Sequence, residues 1–256
     1  AIPLIIICII CVLIVIKLLI KKLKIPTRMA YLISIGSTVC GTTAIMATAP
    51  VIKATKNEVS YAIANITLFG ILSMLIYPYF ANFYFNDEPL LIGLFLGTSI
   101  HETSQVAAAG LIYEQQFNSP ETLNIATVTK LIRNTFLIIM IPLFAILYNR
   151  GQVKEKNYSL LSIFPYFVLG FIVMIVFRNI GDEIFILNSN WIDTIKIIKF
   201  SSKIFLTMAM AAIGLSTNLK DIKNMGYRPF IVGFIAMLTV GIVCIITIES
   251  YLKFFI

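Results

Sequence analysis

Runs of roughly 20 mostly apolar residues recur along the whole chain, each long enough at about 1.5 Å per residue to cross a hydrocarbon core of about 30 Å. About eight can be drawn, at 2–20, 28–50, 58–82, 89–112, 124–148, 158–179, 200–218 and 226–250. Apolar residues make up 59% of the 256 residues and charged ones only 12%, far from the composition of a water-soluble domain of this size. The sequence therefore predicts an all-α, polytopic transmembrane bundle that forms a single domain over 1–256, with the lipid bilayer as its solvent. The chain opens at Ala1 directly in an apolar run, without the basic flank and cleavage site of a signal peptide. We expect further spans of a longer protein to precede it.

The net charge of +8 could suggest a nucleic-acid partner, but Lys17, Lys21, Lys22, Lys24 and Arg28 sit together between two apolar runs, as in a cytoplasmic loop. No nucleic acid is expected. With Arg150, Lys154, Lys156, Lys220, Lys223 and Arg228 they place eleven basic residues on one side of the membrane against six on the other. The positive-inside rule then puts the loops 17–28, 150–157 and 219–228 in the cytoplasm. Cys8, Cys11, Cys40 and Cys244 all fall in apolar runs, which predicts four reduced thiols rather than a disulfide framework or zinc site.

Two runs break the apolar pattern. The second contains Gly36-Ser37-Thr38-Val39-Cys40-Gly41-Thr42-Thr43 and the fourth Gly97-Thr98-Ser99-Ile100-His101-Glu102-Thr103-Ser104-Gln105. Small polar stretches at membrane depth are tolerated where they line a cavity or pack in protein, because every backbone N–H and C=O there needs a partner. One solution is a discontinuous helix, whose exposed N–H groups attract anions and whose freed carbonyls hold cations. Close helix packing by small residues is the plainer explanation of the first stretch. His101 and Glu102 make the second harder to dismiss, since ionisable groups in a span normally face a cavity or a partner.

The fifth run adds Lys130 and Arg133, three residues apart and so on one helix face, with Asn134 beside them. They could snorkel to the interface, or supply counter-charge to Glu102 or to an anionic substrate. Lys203, near the start of the seventh run, reads as a snorkelling residue. Lys53, Lys56 and Glu58 read as an exposed loop, and Trp191, Tyr79, Tyr84 and Tyr158 as an aromatic belt.

His101-Glu102-Thr103-Ser104-Gln105 has the outline of the zinc-protease motif H-E-x-x-H, but Gln105 stands where the second histidine belongs, and His101 is the only histidine in the chain. Ser99, Ser104 and Cys40 lack any candidate base but His101. No enzyme activity, metal or cofactor is expected.

Four stretches resemble the YeiH-type sulfate exporters, a family of bacterial inner-membrane proteins. They are Val39-Cys40-Gly41-Thr42-Thr43-Ala44 with Ala49-Pro50-Val51-Ile52-Lys53, Gly97 through Val106, Thr127-Val128-Thr129-Lys130-Leu131-Ile132-Arg133-Asn134, and Ala211-Ala212-Ile213-Gly214-Leu215-Ser216-Thr217-Asn218-Leu219. The resemblance covers residues 35–245. The family pattern has Asn-Ser at Thr42-Thr43, Asp at Glu102 and Ser at Gln105. The resemblance implies a secondary transporter of inverted repeats and crossing broken helices, carrying sulfate or a related anion.

The resulting expectation is a carrier for a small inorganic or organic anion, coupled to H+ or Na+. Its substrate site would use Gly36, Ser37, Thr38, Cys40, Gly41, Thr42, Thr43, Gly97, Thr98, Ser99, Thr103, Ser104, Lys130, Arg133 and Asn134. His101 and Glu102 would couple transport to the driving ion, since imidazole titrates near neutrality and carboxylates that leave water become easier to protonate. A passive anion channel would use the same polar residues without alternating access. The sequence is compatible with a homo-oligomer.

Overall fold

A computed structural model describes residues 1–150, 166–185, 188–216 and 226–255. The elements in those residues are all helical: α1 (Ile2–Leu23), α2 (Thr27–Thr38), α3 (Gly41–Thr48), α4 (Lys56–Phe85), α5 (Pro89–Ser99), α6 (Thr103–Phe117), α7 (Pro120–Thr135), α8 (Leu137–Arg150), α9 (Tyr166–Ile184), α10 (Ser189–Ser216) and α11 (Arg228–Phe255). Among the described residues, four helical stretches are long and apolar enough to cross a membrane: Ile2–Leu23, Lys56–Phe85, Pro120–Tyr148 and Arg228–Ser250.

The apolar runs at 28–50 and 89–112 are each two short helices in series. After Thr38 the backbone leaves helical geometry at Val39 (φ −124°, ψ −82°) and Cys40 (φ −136°, ψ 38°). It re-enters through Gly41 at φ +49°, a left-handed conformation open to glycine at little steric cost. The second break runs through extended residues, Ile100 (ψ 138°) and Glu102 (ψ 145°), before α6 starts. Gly97 lets this segment approach its neighbour closely: a Cβ there would lie 2.4 Å from the Ala126 carbonyl oxygen.

Other boundaries differ from the sequence expectation. The segment drawn at 200–218 begins at Ser189, so Lys203 lies mid-helix rather than near its start. Polar residues conceal this start, because Asn188 Oδ1 accepts from Asn190 N at 2.9 Å and Lys196 pairs with Asp193 one turn apart at 3.0 Å. These local bonds let a charged turn stay helical. Lys56 and Glu58 likewise belong to the first turn of α4 instead of a loop. Thr55 and Glu58 form a reciprocal capping box there, a device worth about 1 kcal/mol. Residues 158–165 of the sixth run, most of the loops at 150–157 and 219–228 (with Lys154, Lys156, Lys220 and Lys223), Tyr158 and Thr217-Asn218-Leu219 lie outside the described residues.

Packing holds the two broken helices together. α7 lies against both α5 and α6, α2 and α3 lie against α4, and α11 contacts α1, α2, α4 and α5. One apolar cluster joins Val12, Ile16, Met29, Ile45, Ile66, Ala236 and Val240, and another joins Leu4, Phe95, Val106, Tyr113, Ala126 and Ile248. Asn65 on α4 donates to the Pro229 carbonyl at 2.8 Å, fixing the start of α11. The result brings the two helix breaks to one place.

Candidate functional site

The two breaks meet at the side chains of α7. Lys130 is 0% exposed and Arg133 1%, so neither snorkels. Lys130 Nζ donates to the carbonyls of Val39 (3.0 Å), Ile100 (2.9 Å) and His101 (2.5 Å). Arg133 donates through Nε to Thr38 O at 3.0 Å and through Nη2 to Ser37 O at 2.7 Å. Its Nη1 reaches the carbonyls of Thr98 and, at 3.4 Å, Ile100. One face of α7 thus serves the orphan carbonyls at the C-terminal ends of both α2 and α5. A central cation costs about 2.5–3.5 kcal/mol on insertion scales. Hydrogen bonds to charged groups are worth about 1.5–3 kcal/mol each, and several such bonds outweigh that cost.

Neither cation forms a salt bridge with Glu102, whose charge acts on Lys130 through space. Glu102, 4% exposed, turns its carboxylate away to the N-terminal end of α3, where Oε1 accepts from the hydroxyls of Thr42 and Thr67, the latter at 3.0 Å. Gly41 is required here on a second count, since a Cβ would sit 2.7 Å from Glu102 Cγ. Beside this pair, Asn134 Nδ2 donates to Thr103 Oγ1 at 3.1 Å, and Cys40 Sγ lies 3.9 Å from the same hydroxyl. Gln105 Nε2 donates to Thr67 O at 3.1 Å. His101 is 1% exposed, and neither ring nitrogen has a partner among the described residues.

Each helix end carries roughly half a unit, so the C-termini of α2 and α5 and the N-termini of α3 and α6 nearly cancel. What remains at the crossing is two buried basic side chains, Lys130 and Arg133, and one buried acidic side chain, Glu102.

A match to the family described as Conserved hypothetical protein 698 covers residues 1–233. The chain is 36% identical over 242 residues to the UPF0324 membrane protein FN0533 of Fusobacterium nucleatum, covering 91% of this chain and 69% of that protein. It is 37% identical over 245 residues to the UPF0324 membrane protein SAG1125 of Streptococcus agalactiae, covering 95% and 71%. A Yersinia pestis UPF0324 membrane protein is 34% identical over 212 residues, covering 80% and 55%. The chain belongs to the UPF0324 membrane protein family. No solved structure matches it.

Not every expected site residue of this UPF0324 protein reaches the crossing. Thr43 is exposed, because one helical step beyond Thr42 turns its side chain outward. Thr38 Oγ1 is bonded to the carbonyls of its own helix at Ser34 and Ile35 (2.9 and 3.1 Å), and Ser99 Oγ to Phe95 O at 2.6 Å. The Gly36 and Gly97 positions are closely packed, by Ile45 and by α7. Ser37 and Thr98 are fully buried with unpartnered hydroxyls and lend their carbonyls to Arg133. Ser104 is half-buried. Thr67 was not legible in advance, because one threonine among Ile66, Leu68 and Phe69 looks like any span residue. Gln105 stood in the motif without an evident role.

Proposed function

We propose that this UPF0324 protein is a secondary active transporter of the bacterial inner membrane that exports sulfate or a related small anion in exchange for, or together with, H+ or Na+. The breaks in α2–α3 and α5–α6 are the crossing discontinuous helices of an inverted-repeat carrier. Transport rather than catalysis is the role of the buried polar centre. The observation that carries this reading is the meeting of two helix breaks at one buried crossing, where two basic side chains, Lys130 and Arg133, stand against a single carboxylate. It favours an anion over a cation as cargo, and the resemblance to YeiH-type proteins favours sulfate among anions.

Lys130 and Arg133 act here through the frame: by neutralising the carbonyl ends they leave the N-terminal ends of α3 and α6, with Thr42, Thr103, Ser104 and Asn134, to meet the substrate. Labelled-sulfate flux in proteoliposomes, with imposed pH and sodium gradients and with protein-free vesicles beside them, tests the reading. Gradient-driven accumulation against a sulfate gradient is expected and identifies the coupling ion. Flux that ignores both gradients and appears as conductance would make the protein a channel. Absence of flux for sulfate and for sulfite, sulfonates and carboxylates alike would remove the carrier reading.

A further inference from the structure

We propose that the Glu102 carboxylate is a resident stand-in for the substrate, so that oxyanion and ionised Glu102 exclude one another from a single subsite formed by the hydroxyls of Thr42 and Thr67. This rests on the carrier reading above and assigns Thr67 of α4 as a substrate-binding residue.

The geometry carries the inference in three steps. First, Glu102 is the residue immediately before α6, a position from which a side-chain oxygen can cap the helix. It does not do so: no side-chain capping bond is made there. Instead Oε1 crosses to α3 and takes hydrogen bonds from Thr42 Oγ1 and Thr67 Oγ1. Two hydroxyl donors converging on one carboxylate oxygen at the start of a helix would serve an oxygen of sulfate equally well.

Second, the carboxylate makes no salt bridge among the described residues, although its charge acts on Lys130 through space. Lys130 and Arg133, the charged groups that face it from α7, direct their described hydrogen bonds to carbonyls. From α4 it meets Thr67; Cys40, in the break after α2, lies against Thr103, the residue after Glu102, and His101 precedes it in the connector. None of these is an ion-pair partner within the described residues. Glu102 can therefore leave without breaking a salt bridge.

Third, His101, the residue before Glu102, is buried, and its two ring nitrogens have no partner among the described residues. A buried imidazole carries at least one N–H donor, so an unanswered donor sits on the residue next to the one that leaves.

The consequence is linkage. A neutral Glu102 releases its claim on the hydroxyls, the anion enters, and the proton remains on the carboxyl group: one proton is taken up for each anion bound, and no bond other than O–H forms or breaks. Anion affinity then rises as pH falls, and by reciprocity the anion promotes protonation.

Titration calorimetry of the purified protein with sulfate between pH 4.5 and 8.5, in buffers of different ionisation enthalpy, tests this. The wild type should take up one proton per sulfate on the alkaline limb, with affinity changing by up to tenfold per pH unit there. Glu102→Gln should bind sulfate independently of pH, at least as tightly as the wild type at its most acidic, and Thr67→Val should weaken binding several-fold at every pH. Sulfate binding by the wild type without proton uptake overturns the stand-in while leaving the carrier reading intact. So does a Glu102→Gln protein that melts like the wild type yet no longer binds. The wild-type proton count decides even where the variant does not fold. Failure of the wild type to bind any oxyanion, with no flux in vesicles, overturns both readings.

Discussion

The helix crossing and the α9–α10 hairpin use polar residues in opposite ways. At the crossing, Lys130, Arg133 and Glu102 are buried and their bonds reach across tens of residues of sequence. In the hairpin, Arg178 pairs with Asp182 one turn away at 2.6 Å, Trp191 Nε1 donates to the same carboxylate at 2.8 Å, and large apolar side chains such as Phe177, Ile184, Phe200 and Phe205 face outward. α10 touches α4, and the polar bonds described in the hairpin are local. The difference teaches where long-range order comes from in a chain whose outer surface is as apolar as its core. Lipid solvates exposed apolar groups, so burial of greasy side chains discriminates weakly between partners. Backbone atoms with no other partner discriminate strongly.

Breaking the crossing should therefore have the largest effect. Arg133→Ala removes donors from the ends of two helices at once and should cost about 3–5 kcal/mol, the range for removing one partner of a buried charged network. Thermal unfolding in detergent is expected to show a large fall or no folded protein. Arg133→Lys should recover only part of it, because an ammonium has fewer donors than the planar guanidinium, which here bonds the carbonyls of Ser37, Thr38, Thr98 and Ile100. Gly41→Ala comes next. A left-handed φ and a Cβ pressed against Glu102 together should cost about 2 kcal/mol, read as a lower melting temperature that Glu102→Ala in the same chain partly restores. Thr67→Val removes one hydroxyl donor but leaves the Gln105 bond to the Thr67 carbonyl. Its expected stability loss is about 1 kcal/mol.

The hairpin should give the smallest effect and the clearest spectroscopic one. Asp182→Asn is expected to leave the melting temperature unchanged within error, since the carboxylate is at the surface. Hydrogen bonds from Trp191 and then Arg178 hold the Asp182 carboxyl below its usual value. A lowered folded value means that its contribution is present at neutral pH and is lost as pH falls through that lowered value. Trp191 is the chain's single tryptophan, so its fluorescence in acid should report that loss with a midpoint below the ordinary carboxylate range, and Asp182→Asn should abolish the transition. A midpoint at the ordinary value would mean that the hairpin bonds do not persist in solution.

Much of this contrast was legible in the sequence. Glycine, serine and threonine amid leucine and isoleucine marked both helix breaks to within a few residues, because backbone inside a membrane can depart from helix only where something answers its polar groups. The one-face spacing of Lys130 and Arg133 was equally plain. What they bind was not. A cation near a carboxylate in sequence suggests an ion pair, whereas here the competing partners are carbonyls, which every residue carries and no residue code reveals. The outward turn of Thr43, the crossing of Glu102 to another helix and the participation of Thr67 depend on how α3, α4 and α6 are set against one another, which local spacing does not encode. The early start of α10 was hidden for the opposite reason: Asn188, Asp193 and Lys196 look like a loop until their mutual bonds are drawn.

Because the paired cations of α7 grip main-chain oxygen atoms at Ser37, Thr38, Val39, Thr98, Ile100 and His101, the support they give does not depend on which side chains occupy those six positions. Mutation can alter Thr42, Glu102 or Gln105, the places where this chain departs from its resembling family, without touching the atoms that keep the two breaks joined. The frame is thereby insulated from the drift of its contents, and such a centre can change what it recognises over evolutionary time while its architecture stays in place.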